Sequence, residues 1–179
     1  LSGKGGWQRV EIPHYGGPVG RATAFYRTTF QVNGSYFKDK TSWICFFGVD
    51  YKCDVYLNDN YIGSHEGFFS PFEFNISQYI KTGKNTLLVK VDNDAIFMGS
   101  KFPDGSTIDG DKLYAATGVG WDEPGVGWHH CPPGMGIWQP VKIEFRSPIH
   151  ICDIFVQPDT EKQSVRAHIE VENTRFSYE

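Results

Sequence analysis

The sequence predicts an all-β chain folded as an antiparallel β-sandwich of the jelly-roll kind. Three observations predict it. Short runs rich in aromatic and β-branched residues recur along most of the chain, and Gly, Asn, Asp or Pro bounds most of them. Aromatic residues make up 16% of the 179, with five Trp, nine Tyr and fourteen Phe, more than a core of this size needs. Nothing resembles a βα repeat, so these residues do not encode a (β/α)₈ barrel.

Taken in order, "TAFYRTTFQV" (23–32) and "SWICFFGV" (42–49) are the first two strand-like runs. "KCDVYLN" (52–58) follows and leads into "LNDNYIG" (57–63), which reads as a tight hairpin because Asn and Asp tolerate positive φ. Gly48 and Asp50 lie between two runs, where the chain turns a sandwich corner. In "HEGFFSPFEF", Pro71 sits at the start of a short strand, where its missing N–H costs no ladder bond. "SQYIKTG" (77–83) is the one helical candidate, a single turn that Ser77 starts and Gly83 ends. "NTLLVKVDN" (85–93) puts Leu87, Val89 and Val91 on one face and Leu88 and Lys90 on the other, the period-two signature of a half-buried strand. "WQPVKIEF" (138–145), "HICDIFVQ" (150–157) and "SVRAHIEVEN" (164–173) complete the set.

Two features interrupt this spacing. Residues 94–136 form a long Gly- and Asp-rich stretch with little strand pattern, and an insertion of that length in a small domain usually carries function. A polar turn at Gln157-Pro158-Asp159 marks a boundary, so residues 1–157 are expected as one sandwich domain and 158–179 as the start of a second, truncated β domain. The chain opens "LSGKGGW" without an initiator Met and reads as a processed protein or an excised piece of something longer.

Composition excludes several classes. A net charge of −4 gives no footprint for nucleic acid or an anionic membrane, and no apolar run is long enough to span a bilayer. Cys45, Cys53, Cys131 and Cys152 show no zinc-like spacing and are read as buried free thiols, with one disulfide as the alternative.

The densest chemistry lies in "GWHHCPPGMGIWQPV" (127–141). Neighbouring side chains of extended backbone point to opposite sides, so His129, His130 and Cys131 do not converge on one metal ion. The expectation is no metal and no cofactor; calcium or sodium is the minor alternative, through Asp92 to Asp94 with Asp104, Asp109 and Asp111. Sugars offer C–H faces that stack on Trp and hydroxyls that pair with Asp, Asn and His. Asp92, Asn93, Asp94, Trp121, Asp122, Glu123, Trp128, His129 and His130 supply both kinds and form the candidate carbohydrate site. The bland alternative is a loop packed by Trp128 and Pro132. His65 and Glu66 are candidate interdomain contacts, against a purely structural role for Glu66. Trp7 and Trp43 are read as packing residues and Arg27 as a strand residue whose head is paired.

Four segments together carry a family resemblance: "WQRVEIPH" (7–14), "FYRTTFQV" (25–32), "FFGVDYKCDVYLNDNYIGSHEGFFSPFEFNISQYIKTGKNTLLVKVDN" (46–93) and "GMGIWQPVKIE" (134–144). In this order they resemble the N-terminal sugar-binding domain of glycoside hydrolase family 2, which includes β-galactosidases, β-glucuronidases and β-mannosidases. The resemblance covers about residues 7 to 157. It implies a galactose-binding-like jelly roll, followed in whole enzymes by an immunoglobulin-like sandwich and a catalytic barrel. Both catalytic glutamates of the family lie on that barrel, so the resemblance implies no catalytic residue here. It implies instead a non-catalytic domain whose 94–136 loop lines one side of a sugar pocket. Its partners are then the immunoglobulin-like and catalytic domains of the parent chain and an oligo- or polysaccharide. The rival reading is an autonomous carbohydrate-binding module. Gln139 stands where the family commonly has Arg, and His130 falls about where some β-galactosidases place an acidic contact, so galactose specificity does not transfer. Family analogy alone points to an exported, periplasmic or secreted bacterial parent.

Overall fold

The computed structural model describes residues 6–16, 22–93, 122–123, 127–128 and 135–173. The described strands, in chain order, are β1 (Ala22–Val32), β2 (Thr41–Phe46), β3 (Lys52–Leu57), β4 (Asn60–Glu66), β5 (Phe72–Asn75), β6 (Gly83–Asn93), β7 (Asp122–Glu123), β8 (Gly127–Trp128), β9 (Val141–Arg146), β10 (Ile149–Asp159) and β11 (Ser164–Asn173). One sheet has the order β1-β6-β3-β4 and the opposing one β5-β2-β9, with every pairing antiparallel. Non-sequential neighbours within both sheets make this a jelly-roll sandwich, as the sequence predicts.

Alternation explains the core. Leu87, Val89 and Val91 of β6 and Cys53, Val55 and Leu57 of β3 point inward and are buried, against Ile44 and Phe46 of β2. Each such side chain contributes about 1.5–3 kcal/mol through the apolar surface it removes from water. Phe46 stacks on Phe72, with ring centroids 4.9 Å apart. The β3–β4 hairpin turns on Asn58 (φ 50°) and Asp59 (φ 67°), the left-handed conformations that the Asn-Asp pair anticipates.

The segment around Ser77 forms a turn and no helix. Ile76 O accepts hydrogen bonds from the N–H groups of Tyr79 and Ile80, and Ser77 Oγ is used instead to accept from Ser42 N of the neighbouring strand β2 at 2.9 Å. The short 3₁₀ helix among the described residues is Gly34–Phe37, capped by Asn33, whose side chain accepts from Ser35 N at 3.0 Å.

The outward face of the β5-β2-β9 sheet is itself covered. Arg146 reaches across it to Glu73 at 2.6 Å and Glu144 at 2.8 Å, with its guanidinium 5.1 Å from the Trp43 ring centroid. Beneath it Arg146 Nη2 lies 3.2 Å from the Cys45 sulfur. Trp43 is thereby buried although it faces away from the core. The hydrogen bond from Arg146 holds the Glu73 carboxyl below its ordinary range, against the opposing effect of burial. A carboxyl whose folded pKa is depressed contributes stability above its unfolded pKa and loses it as pH falls through the folded value. Glu73→Gln is therefore expected to flatten the decline of thermal stability between about pH 5 and pH 3, as read by calorimetric melting across that range.

The thiols separate. Burial, reinforced by Glu144 and Glu73, pushes Cys45 up to about 12, and burial does the same to Cys53. Cys152, in contrast to its expected burial, is exposed on β10, and all three are free; Cys131 lies outside the described residues. At pH 8 a thiol reagent should modify Cys152 readily and leave Cys45 and Cys53 intact until denaturant is added, because their thiolate populations fall by about a thousandfold. Rapid native labelling of Cys45 would contradict the burial described.

Strands β10 and β11 form a separate two-stranded sheet paired from Ile149↔Asn173 to Asp159↔Ser164. The hairpin thus runs across the Gln157–Pro158 position. Its large apolar side chains, including Ile151, Phe155, Val165 and Ile169, are half or more exposed.

Candidate functional site

Chain connectivity defines the site region. β6 ends at Asn93, where the long insertion leaves, and the chain returns at Met135. The return is fixed by isolated bridges Gly16↔Met135 and Asp50↔Gly136, with backbone bonds His14 N→Ile137 O at 2.7 Å and Asp50 N→Gly136 O at 2.9 Å. Around these bridges lies a polar cluster. Tyr15 donates its hydroxyl to the fully buried Asp50 at 2.9 Å, and His14 Nδ1 lies 2.9 Å from the Tyr26 hydroxyl. Burial raises the pKa of Tyr26, so it stays a neutral phenol at any working pH. Gly136 fits here only because it lacks a side chain: a Cβ would lie 2.5 Å from the His14 carbonyl oxygen and 2.6 Å from the Tyr26 hydroxyl. Trp138 continues the anchor, donating to Phe68 O at 3.0 Å and stacking on the Phe68 ring.

The expected site residues distribute as follows. Asp92 faces outward on β6, where Thr23 donates to it at 2.5 Å and Lys90 pairs with it. Burial raises its carboxyl, but the hydrogen bonds from Lys90 and Thr23 outweigh that and hold it below the ordinary range. Lys90 also reaches Asp54 at 3.6 Å. Asn93, the next residue, is buried on the opposite face, since consecutive strand side chains alternate. The two therefore do not converge. Glu66 pairs with Lys52 at 3.7 Å in the same cross-strand row, through the registers Lys52↔Glu66 and Lys52↔Asp92. His65 points inward and stacks on Phe72 with centroids 4.0 Å apart; burial lowers its pKa, so the ring is neutral. Asp122 and Glu123 form β7, which pairs with Gly127 and Trp128 of β8. Asp94, Trp121, His129 and His130 lie outside the described residues.

Trp7 departs from the packing role expected of it. Its ring is 45% exposed, and the Arg27 guanidinium lies 4.4 Å from its centroid, so Arg27 is paired with an aromatic face. Sequence reasoning also missed Tyr15, Tyr26 and Gly136. The quoted "WQRVEIPH" ends just before Tyr15, "FYRTTFQV" holds Tyr26 and "GMGIWQPVKIE" holds Gly136, but nothing in these strings says that one lies against another.

Chemically, several of the described carboxylates, among them Glu73, Asp92 and Asp159, are engaged acceptors. Glu73, Asp92 and Asp159 all titrate lower than usual, the opposite of what a general acid requires. Glu73 and Glu144 share one arginine, and its hydrogen bond favours the ionised form of Glu73. Among the described residues no group of three or more His, Cys, Asp and Glu is arranged to hold a metal ion.

Comparison with known proteins gives a consistent answer. The family model described as the glycosyl hydrolase 2 galactose-binding domain-like family matches residues 17–139. A β-galactosidase of Thermoanaerobacter pseudethanolicus is 30% identical over 86% of this chain, which spans 18% of that protein. A β-galactosidase of Streptococcus thermophilus is 28% identical over 84% of this chain, which spans 12% of it. Among solved structures, the β-D-glucuronidase of Dictyoglomus thermophilum superposes with a TM-score of 0.61 over 86% of this chain and 26% of its own, at 24% identity, a likeness of fold. These relatives are several times longer than this chain. A family match over more than half the sequence, on a jelly-roll sandwich, makes the chain a member of the galactose-binding-like domain family of the family 2 glycosyl hydrolases.

Proposed function

We propose that this chain is a non-catalytic scaffold domain of a longer family 2 glycoside hydrolase, and that its 94–136 loop lines one side of the parent's sugar pocket. The carrying observation is the rigid frame at the insertion's return: Asp50, Gly136, His14 and Tyr26 pin the chain where the loop rejoins the sandwich. Such a frame fixes the point at which the loop rejoins the sandwich, which a pocket wall built on it requires. Residues 158–179 then open a further, immunoglobulin-like β domain. β10 pairs with β11 along its length, so the hairpin from Ile149 goes with it. The exposure of Val165 and Ile169 supports this, since a lone two-stranded hairpin needs a packed face for stability.

Calorimetric titration of the 179-residue chain with methyl β-galactoside and methyl β-glucuronide tests the reading. Weak or no binding is expected, because one wall of a pocket buries too little of a sugar. In the multidomain parent, His130→Ala should lower kcat/KM by about tenfold, the worth of one good hydrogen bond to substrate. Tight binding by the isolated chain would favour an autonomous binding module instead.

A further inference from the structure

The sandwich is open along one side. β1 edges one sheet and β9 the other, and among the described residues the segment before β1 crosses the gap between them. Between these edges runs a cleft of about 1080 Å³. Its walls are apolar: the inward side chains of Ala24, Val141 and Ile143, with Trp7, Ile12 and Phe25 at the mouth. Three charged residues line it, Arg9, Arg27 and Lys142, and all three are cations. Among the described residues no Asp or Glu contributes to it, although acids outnumber bases 21 to 17 in the chain. Among the described residues, Arg27 and Lys142 pair with no carboxylate either. Arg27 lies over the Trp7 ring and Lys142 over the Phe47 ring at 4.8 Å, contacts that leave the N–H groups directed elsewhere able to donate.

An apolar trough bordered by cations alone is complementary to one class of ligand. We infer that this cleft binds a monomeric amphipathic carboxylate, with its hydrocarbon between β1 and β9 and its anionic head at Arg9, Arg27 and Lys142. The trough supplies affinity by removing the tail from water, and the cations fix its polarity through charge-assisted hydrogen bonds.

Dodecanoate, below its micelle-forming concentration, is the probe. Calorimetry should give one molecule per chain, and the methyl resonances of Val141 and Ile143 should shift. Dodecyltrimethylammonium, with the same tail and the opposite charge, should bind at least about tenfold more weakly. Arg27→Glu and Lys142→Glu, both changes on the rim and outside the core, should each weaken dodecanoate by about tenfold or more, the equivalent of one charge-assisted hydrogen bond. Far-UV dichroism of both variants should match the parent chain. Equal affinity for the two detergents would overturn the proposal. So would indifference to both charge reversals, shifts confined to the exposed apolar residues of β10 and β11, or binding seen only to phosphatidylglycerol vesicles.

Discussion

Replacing Asn85 with alanine should destabilise the domain by about 3–4 kcal/mol, the largest loss expected from any single polar truncation described here. Asn85 is fully buried at the start of β6, in line with Leu87, Val89 and Val91. Its Oδ1 accepts from Lys81 N at 2.9 Å and from Asn58 Nδ2 at 2.8 Å, while its Nδ2 donates to Lys81 O at 2.7 Å and Gly83 O at 3.0 Å. One amide thus satisfies the turn before β6 and couples it to the β3–β4 hairpin, since Asn58 Oδ1 accepts from Thr86 N and its Nδ2 donates to Tyr79 O. Truncation leaves several buried donors and acceptors unpaired in a low-dielectric site, which costs more than the bonds were worth in net stability. Asn85→Leu separates the causes. It restores the lost volume but none of the hydrogen bonds, and should be as damaging as alanine. Chemical denaturation, with a melting temperature roughly 10 °C lower for both variants, is the check.

Gly136→Ala should cost about 2–4 kcal/mol. Two effects add. The backbone there has φ 143°, which side-chain-bearing residues rarely adopt, and the new methyl group would collide with the His14 carbonyl and the Tyr26 hydroxyl. The carbonyl belongs to the backbone and cannot swing aside, so the bridges Gly16↔Met135 and Asp50↔Gly136 must open. Gly83→Ala is the control: its φ is 86°, yet nothing lies within 4 Å of the added carbon, so it should lose only about 1 kcal/mol through backbone strain. If the insertion is held by this frame, Gly136→Ala should also raise amide exchange at Met135 and Ile137 while exchange in β3 and β6 stays slow.

Much of the fold was legible because it is written locally. Alternation in 85–93 gave β6 and its buried face, and the Asn58-Asp59 pair gave the hairpin. What was not legible depends on contacts distant in sequence. β2 pairs with β9 through Thr41↔Arg146, about a hundred residues apart, and that pairing alone lets Arg146 fold over Trp43 and Cys45. Trp43 and Cys45 are buried as expected, but no local pattern announces the arginine lid that buries them on an outward sheet face. Cys152 failed for the converse reason: its strand has the composition of a core strand but pairs only within a hairpin. The candidate site was read as a cluster of sugar-compatible residue types. Alternation, the rule that argues against metal binding by His129, His130 and Cys131, also sends Asp92 and Asn93 to opposite faces. The anchors Tyr15, Tyr26 and Gly136 were invisible because each matters only through a partner on another segment.

Assay of the purified 179-residue chain against p-nitrophenyl β-galactoside and β-glucuronide tests the central claim, that this is a folded scaffold lacking the acid and nucleophile of glycoside cleavage. Release of nitrophenol at the buffer rate, from a chain that melts cooperatively, is the predicted result. Saturable turnover that survives repurification would contradict it.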